Sequence, residues 1–390
     1  MTDFGAELRR LMAERGLSQN ETARRVPCNP GYLSKVAAGT KRPSVEIRAR
    51  LDNVLSAGGA LAAIEAGPAP ADDTGLIELA RRAAASDVGS ATVELLADAA
   101  DSMCRDYPVM DAAELSARAR EHLRYTTGLL DKRMTLGEHR ELLVTAGWLS
   151  ALLACTLYDA GNRAGAETAR RMTRQFGDQA GHGELTAWSF EIAAWYALME
   201  GQFPKVAALC EAGLEHAGVS SAAVQLTLQS ARAYARMGDR QAAKMLTTGQ
   251  AILNHLPVPA HPEHHFVFDR DKYEFYTATI YTWLGTDDAA AEENAREVAA
   301  RCLSPDGAVL WPTRLSTTLV NLGLIAGRRG DLDEAVSLGE SALRCGRRSA
   351  ELLPRAAELG RDLASRYPHD RLVSGFADRL NVEHRAITSR

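Results

Sequence analysis

The stretch "GLSQNETARRVPCNPGYLSKVAAGTKRPS", Gly16 to Ser44, decides how the chain begins, because it holds two helix starts, a turn and a basic exit in one short span. Ser18-Gln19-Asn20-Glu21 has the spacing of a capping box, in which the serine oxygen takes an orphan N–H of the first turn and the glutamate reaches back. A helix starting there carries Ala23 and Val26 inward and stops at Pro27, which cannot continue it. Asn29-Pro30 restarts a helix, with a capping side chain and a proline placed where its missing donor costs nothing. Leu33 and Val36 face inward, Gly39 closes that helix, and Pro43-Ser44 opens another carrying Ile47, Leu51 and Leu55 at helical spacing. Upstream, Phe4, Leu8, Leu11 and Met12 share one face of a first helix that ends at Gly16. Several short helices in so few residues, with only a brief turn between the second and third, describe a helix-turn-helix unit.

The charge supports a separate role for this segment. Residues 1–60 hold ten Lys and Arg against six Asp and Glu, a balance of +4, and the remainder holds 35 against 44, a balance of −9. A basic module on an acidic body points to a polyanion partner for the small part alone.

The run Gly16-Leu17-Ser18-Gln19, with Ala23, Asn29, Tyr32-Leu33-Ser34-Lys35-Val36, Gly39 and Lys41-Arg42-Pro43-Ser44, resembles the lambda-repressor-like (XRE-type) DNA-binding family from Phe4 to about Leu61. Two positions depart from that family, which usually has Gly where Pro27 stands and Glu where Ala37 stands. The resemblance implies that the third helix enters the major groove, with Asn29, Gly31, Tyr32, Ser34 and Lys35 reading base edges. Gln19 and Arg42 would clamp phosphates, and Arg24, Arg25 and Lys41 would add charge contacts.

After residue 66 the segment "PAPADDTG", Pro68 to Gly75, loses every apolar period and reads as a linker over 67–75. From Leu76 onward the pattern is helical throughout, as in Val93, Leu96, Ala97 and Ala100, so the whole chain is expected to be all-α. Residues 76–137 form a helical connector or a degenerate repeat. Beyond them, glycines at 161, 201, 238, 285 and 330 each stand between two helical patterns. Seven residues before each is a small residue: Ala154, Ala194, Ala231, Ala278 and Gly323. Five residues after four of them is alanine, at Ala166, Ala243, Ala290 and Ala335, with Val206 in the other, and Tyr234 and Tyr281 precede two of them by four. Two helices approach closely only where side chains are small, and glycine supplies the left-handed residue that stops the first. One hairpin cannot bury its own face, but stacked hairpins can.

This spacing resembles the tetratricopeptide repeat, although intervals of 40, 37, 47 and 45 exceed its usual length and require inserted turns such as "LPVPAHPEHH". The resemblance implies an α-solenoid over 138–390 that dimerises and senses an effector. Its concave side would present Trp148, Trp188, Glu191, Trp195, Gln225, Arg232, Lys272, Phe275 and Thr279, a mixture of aromatic and polar groups suited to a peptide, small molecule or protein.

Other constellations exclude more than they suggest. His261 to His265, "HPEHH", lies in a proline-broken loop without the helical spacing of a metal motif and reads as a solvated loop, so no metal or other cofactor is expected. No G-x-S-x-G, Walker or dinucleotide fingerprint occurs, so no enzyme is expected. The six cysteines are scattered singly and read as reduced thiols. The apolar run Gly147 to Tyr158 falls short of a membrane span and no leader pattern opens the chain, which predicts a cytoplasmic protein without a membrane partner.

The order of domains resembles the peptide-sensing RRNPP regulators and, more closely, actinobacterial regulators of the same layout. It implies a homodimeric transcriptional regulator bound to a double-stranded DNA operator, its reading heads respaced by an effector in the repeats. The alternative is a repeat scaffold that docks a protein partner, with the small N-terminal domain as a tether.

Overall fold

The computed structural model describes residues 3–64, 78, 81–82, 84–345, 347 and 349–388, of 386–388 the backbone only. The expected linker at 67–75, with the domain bounds at 66 and 76, lies outside the described residues. Apart from one isolated bridge between Leu303 and Val309, the described residues contain no β-structure. The chain divides into two compact units between Ala84 and Ala85.

The first unit contains α1 (Phe4–Glu14), α2 (Gln19–Arg25), α3 (Pro30–Ala37) and α4 (Val45–Val54). Asp3, Ser18, Asn29 and Ser44 cap them, each accepting a backbone N–H of its own first turn. Half of the expected capping box is present: Ser18 accepts from the Glu21 N–H, but the Glu21 carboxylate reaches forward to Arg25 at 3.1 Å. The core unites Leu8, Leu11, Met12, Val26, Leu33, Val36, Leu51, Leu55 and Leu61. A Cβ on Gly5 would stand 2.7 Å from the Ala37 carbonyl oxygen, so α1 lies directly on the end of α3.

In the second unit, α5 (Ser90–Asp106) and α6 (Ala112–Leu129) pack on each other and on α7 (Leu136–Asp159). Six hairpins follow: α7 with α8 (Arg163–Ala180), α9 (Gly183–Met199) with α10 (Phe203–Ala217), and α11 (Ser221–Arg236) with α12 (Gln241–Leu253). The others are α13 (Arg270–Leu284) with α14 (Asp288–Arg301), α15 (Pro312–Arg329) with α16 (Leu332–Arg344), and α17 (Leu352–Arg366) with α18 (Arg371–Thr388). The first helix of each hairpin also packs on the first helix of the next, an arrangement compatible with a helical solenoid.

The five turn glycines all have positive φ, between 60° and 93°, and the small residue seven positions before each is buried. The position after the glycine is less regular than the sequence suggests. Ala166, Val206 and Ala335 are buried, but Ala243 is exposed and Ala290 only half-buried, their places in the core being taken by Ala242 and Ala291. The turns differ by a residue: Asp239 caps the Gln241 N–H ahead of α12, whereas Asp287 caps α14 one position later. A shift of one residue rotates a helix by about 100°.

Helix α7 corrects the expectation drawn from its apolar run, because at 24 residues it has the length and composition of a membrane span. Its apolar window is 83% buried between α5, α6, α8 and α9, which makes it the central core helix of this unit.

Candidate functional site

In the first unit, α3 divides its residues by face. Leu33, Val36 and Ala37 are buried, whereas Asn29, Gly31, Ser34 and Lys35 are exposed along its leading edge. Asn29 already has a local task, since its Oδ1 accepts the Gly31 N–H at 2.8 Å, which leaves its amide nitrogen as the group able to meet a base. Tyr32 is half-buried, donates its hydroxyl to the Arg42 carbonyl at 3.1 Å, and has the Lys41 ammonium 5.4 Å from its ring centre. It braces the basic exit loop against α3. Gln19, Arg24, Arg25 and Lys41 are exposed and Arg42 half-buried. Pro27 is exposed in the turn, and Ala37 is buried, its carbonyl oxygen lying close against Gly5.

One residue of this unit escaped the sequence reading. Asp52, buried on α4, accepts the N–H groups of Gly59 at 2.7 Å, Leu61 at 2.8 Å and Ala62 at 3.3 Å, and so folds the chain after α4 back onto the core. Its signal was an acid in a helix followed by two glycines.

The second unit contains a partly open cavity of about 140 Å³. Seven of the nine residues expected on the concave side line it: Trp188, Glu191, Trp195, Gln225, Arg232, Lys272 and Phe275. Trp148 and Thr279 do not. Trp148 packs against Phe266, ring centres 5.4 Å apart, and Thr279 bonds the Phe275 carbonyl and the Asn321 amide inside the helix layer.

The cavity is bordered by segments remote in sequence. The loop between α12 and α13, expected to be solvated, is docked: the His265 N–H donates to the Cys104 carbonyl at 3.0 Å, its ring lies 3.8 Å from that of Tyr107, and Phe266 is buried beside Trp188. The apolar Phe266 and Phe268 within a polar loop were the signal that it must be covered. A second strap precedes α17, where Arg347 donates to Asp159 at 2.8 Å and to the Met110 carbonyl at 3.2 Å, and the Ala350 N–H donates to Asp159 at 2.8 Å. The solenoid therefore returns to its own beginning. The groove expected from the sequence is a partly covered chamber, with Tyr107, Asp159, His264, His265, Tyr276, Trp311, Arg314 and Glu351 added to its lining.

Several buried polar groups are set into the chamber's largely apolar lining. Gln225 donates to Glu191 at 2.8 Å and to the Tyr276 hydroxyl at 2.6 Å, while its own Oε1 has no partner. Burial raises the Glu191 carboxyl above its ordinary range, a shift that the Gln225 bond opposes. Arg232 pairs with Glu351 and lies over Tyr276. Burial and the nearby Arg314 lower the Lys272 ammonium to about 8. The His265 ring is held well below its ordinary value by burial, with Lys272 and Arg347 acting in the same sense.

Among the described residues no group of three or more His, Cys, Asp and Glu is placed to hold a metal. No curated protein is matched by the chain. Residues 3–63 match the family described as a helix-turn-helix domain, so the first unit, with its exposed α3 edge, is a helix-turn-helix DNA-binding domain.

Proposed function

We propose that the chain is a sequence-specific transcriptional regulator of the lambda-repressor-like type, a cytoplasmic homodimer and not an enzyme, whose tetratricopeptide-type second unit holds an effector. The observation that carries the reading is the polar leading edge of α3, set on a buried apolar face within the one segment that matches a DNA-binding family. The +4 balance of residues 1–60 supplies the phosphate attraction. Paired half-sites one helical turn apart are the usual target of such a unit, and they call for two copies. The cavity, lined by aromatic and polar groups, supports a ligand-sensing role for the second unit.

The test is an electrophoretic shift on operator DNA selected by the full chain, repeated across salt concentrations. Lys35→Ala weakens specific binding by roughly 1–3 kcal/mol if the side chain reads a base. Arg24→Ala weakens binding to all sequences and flattens the log–log salt slope by about one. Asn29 is tested as Asn29→Asp, which keeps the cap and removes only the amide donor. Unchanged operator affinity in both Lys35→Ala and Asn29→Asp would refute α3 as the reading helix.

A further inference from the structure

Resting on the reading of the second unit as a ligand-holding module, we propose that its chamber binds a small organic anion: one flat aromatic ring bearing a carboxylate, the acid group held by Lys272 and Arg314 and the ring lying among Trp188, Trp195 and Phe275.

Acids and cations around the chamber are similar in number but unevenly paired. Asp159 is paired with Arg347, and Glu351 with Arg232. Lys272 donates only to the backbone carbonyls of His265 at 3.1 Å and Val267 at 3.3 Å and has no ion pair among the described residues. Arg314, whose side chain is 14% exposed, forms a loose ion pair with Asp269 at 3.9 Å, beyond hydrogen-bond reach, and rests on the Trp311 ring. Of the remaining acids in the lining, Glu191 accepts from Gln225 at 2.8 Å and Glu263 meets the His261 ring at 3.0 Å. Lys272 therefore lacks an ion-pair partner among the described residues, and its neighbour Arg314 has only a loose one. A carboxylate would supply that counter-ion, and it matches guanidinium geometry directly.

Size and lining choose the remainder of the molecule. Cavities of about 150 Å³ accept a single benzene-sized ring, and this one measures about 140 Å³. The flat faces of three aromatic side chains suit a ring better than an alkyl chain. The built polar groups look inward as well: Gln225 is 6% exposed with an unpartnered Oε1, and Arg232 is 3% exposed with an unpartnered Nε. Such groups are costly to bury without a partner, which a polar substituent on the ring would provide.

Calorimetric titration of the full chain with phenylacetate, 4-hydroxyphenylacetate and indole-3-acetate, each beside its neutral amide, tests the proposal without any variant. The expected result is one saturable site per chain, with each amide weaker than its acid by roughly tenfold or more. Lys272→Met and Arg314→Gln should each abolish the preference for acid over amide while circular dichroism stays unchanged. Equal binding of acids and amides, or no binding by any of the acids, overturns the proposal. A shift assay with the bound acid separates the two readings: acid binding that leaves operator affinity unchanged keeps the anion site and removes its role as effector.

Discussion

Asp159 is a carboxylate whose side chain has 0% exposure, held by the Tyr107 hydroxyl, the Arg347 guanidinium and the Ala350 N–H, all at 2.8 Å. Removing one member of a buried ion pair strands the other, which typically costs about 3–5 kcal/mol. Asp159→Ala is therefore expected to lower the denaturation midpoint of the second unit by an amount of that order. Arg25→Ala, which breaks the exposed pair with Glu21, should change stability by less than about 0.5 kcal/mol. Urea titration followed by circular dichroism compares the two. His265 adds a pH dependence. Its pKa is depressed in the fold by burial and by Lys272, Arg347, His264 and Arg314, so below its ordinary value of 6.5 the unfolded chain binds a proton that the folded ring refuses. The stability present above pH 6.5 should be lost progressively as the pH falls, and His265→Phe should flatten that part of the curve in melting-temperature measurements. An unchanged slope in the variant would contradict the assignment. Neither residue was legible as a site. Asp159 reads as a polar helix end and His265 as a loop histidine, because their partners lie 188 and more than 150 positions away.

At the scale of elements much more could be read. Caps at Ser18, Asn29 and Ser44 were visible because each acts within its own turn, and the repeat glycines were visible because a positive φ at a helix end demands them. The core positions of α12 and α14 were misplaced by one because the turns ahead of them differ in register, with Ala242 and Ala291 buried in place of Ala243 and Ala290. The approach of α1 to α3 was hidden as well, since Gly5 reads as an ordinary early helix residue. A methyl there would meet the Ala37 and Val36 carbonyls at 2.7 and 3.1 Å. Gly5→Ala is thus expected to destabilise the first unit by about 1–3 kcal/mol through overpacking, despite alanine's better helix propensity. It should also weaken operator binding indirectly by displacing α3. Hydrogen exchange of the α3 amides measures the first effect, and a rise in protection would refute it.

For the second unit as a whole, local and remote contacts differ in kind. Each hairpin meets its neighbours at short sequence separation, whereas the bonds of Arg347 to Asp159 and Met110 span 188 and 237 residues. Neighbouring hairpins can assemble early, while contacts across such loops form only after the intervening chain is ordered. Arg347→Ala should accordingly speed unfolding while leaving the folding rate nearly constant, as read from both arms of a stopped-flow chevron. A folding arm slowed as much as the unfolding arm is accelerated would place the strap in the nucleus instead.

The strap at Arg347 has one more consequence. An open stack of hairpins can gain or lose a member at little risk, because only the two flanking interfaces notice. A stack whose later part is tied to its beginning has less freedom: splicing one extra hairpin between them would carry Arg347 past Asp159 and break that buried pair.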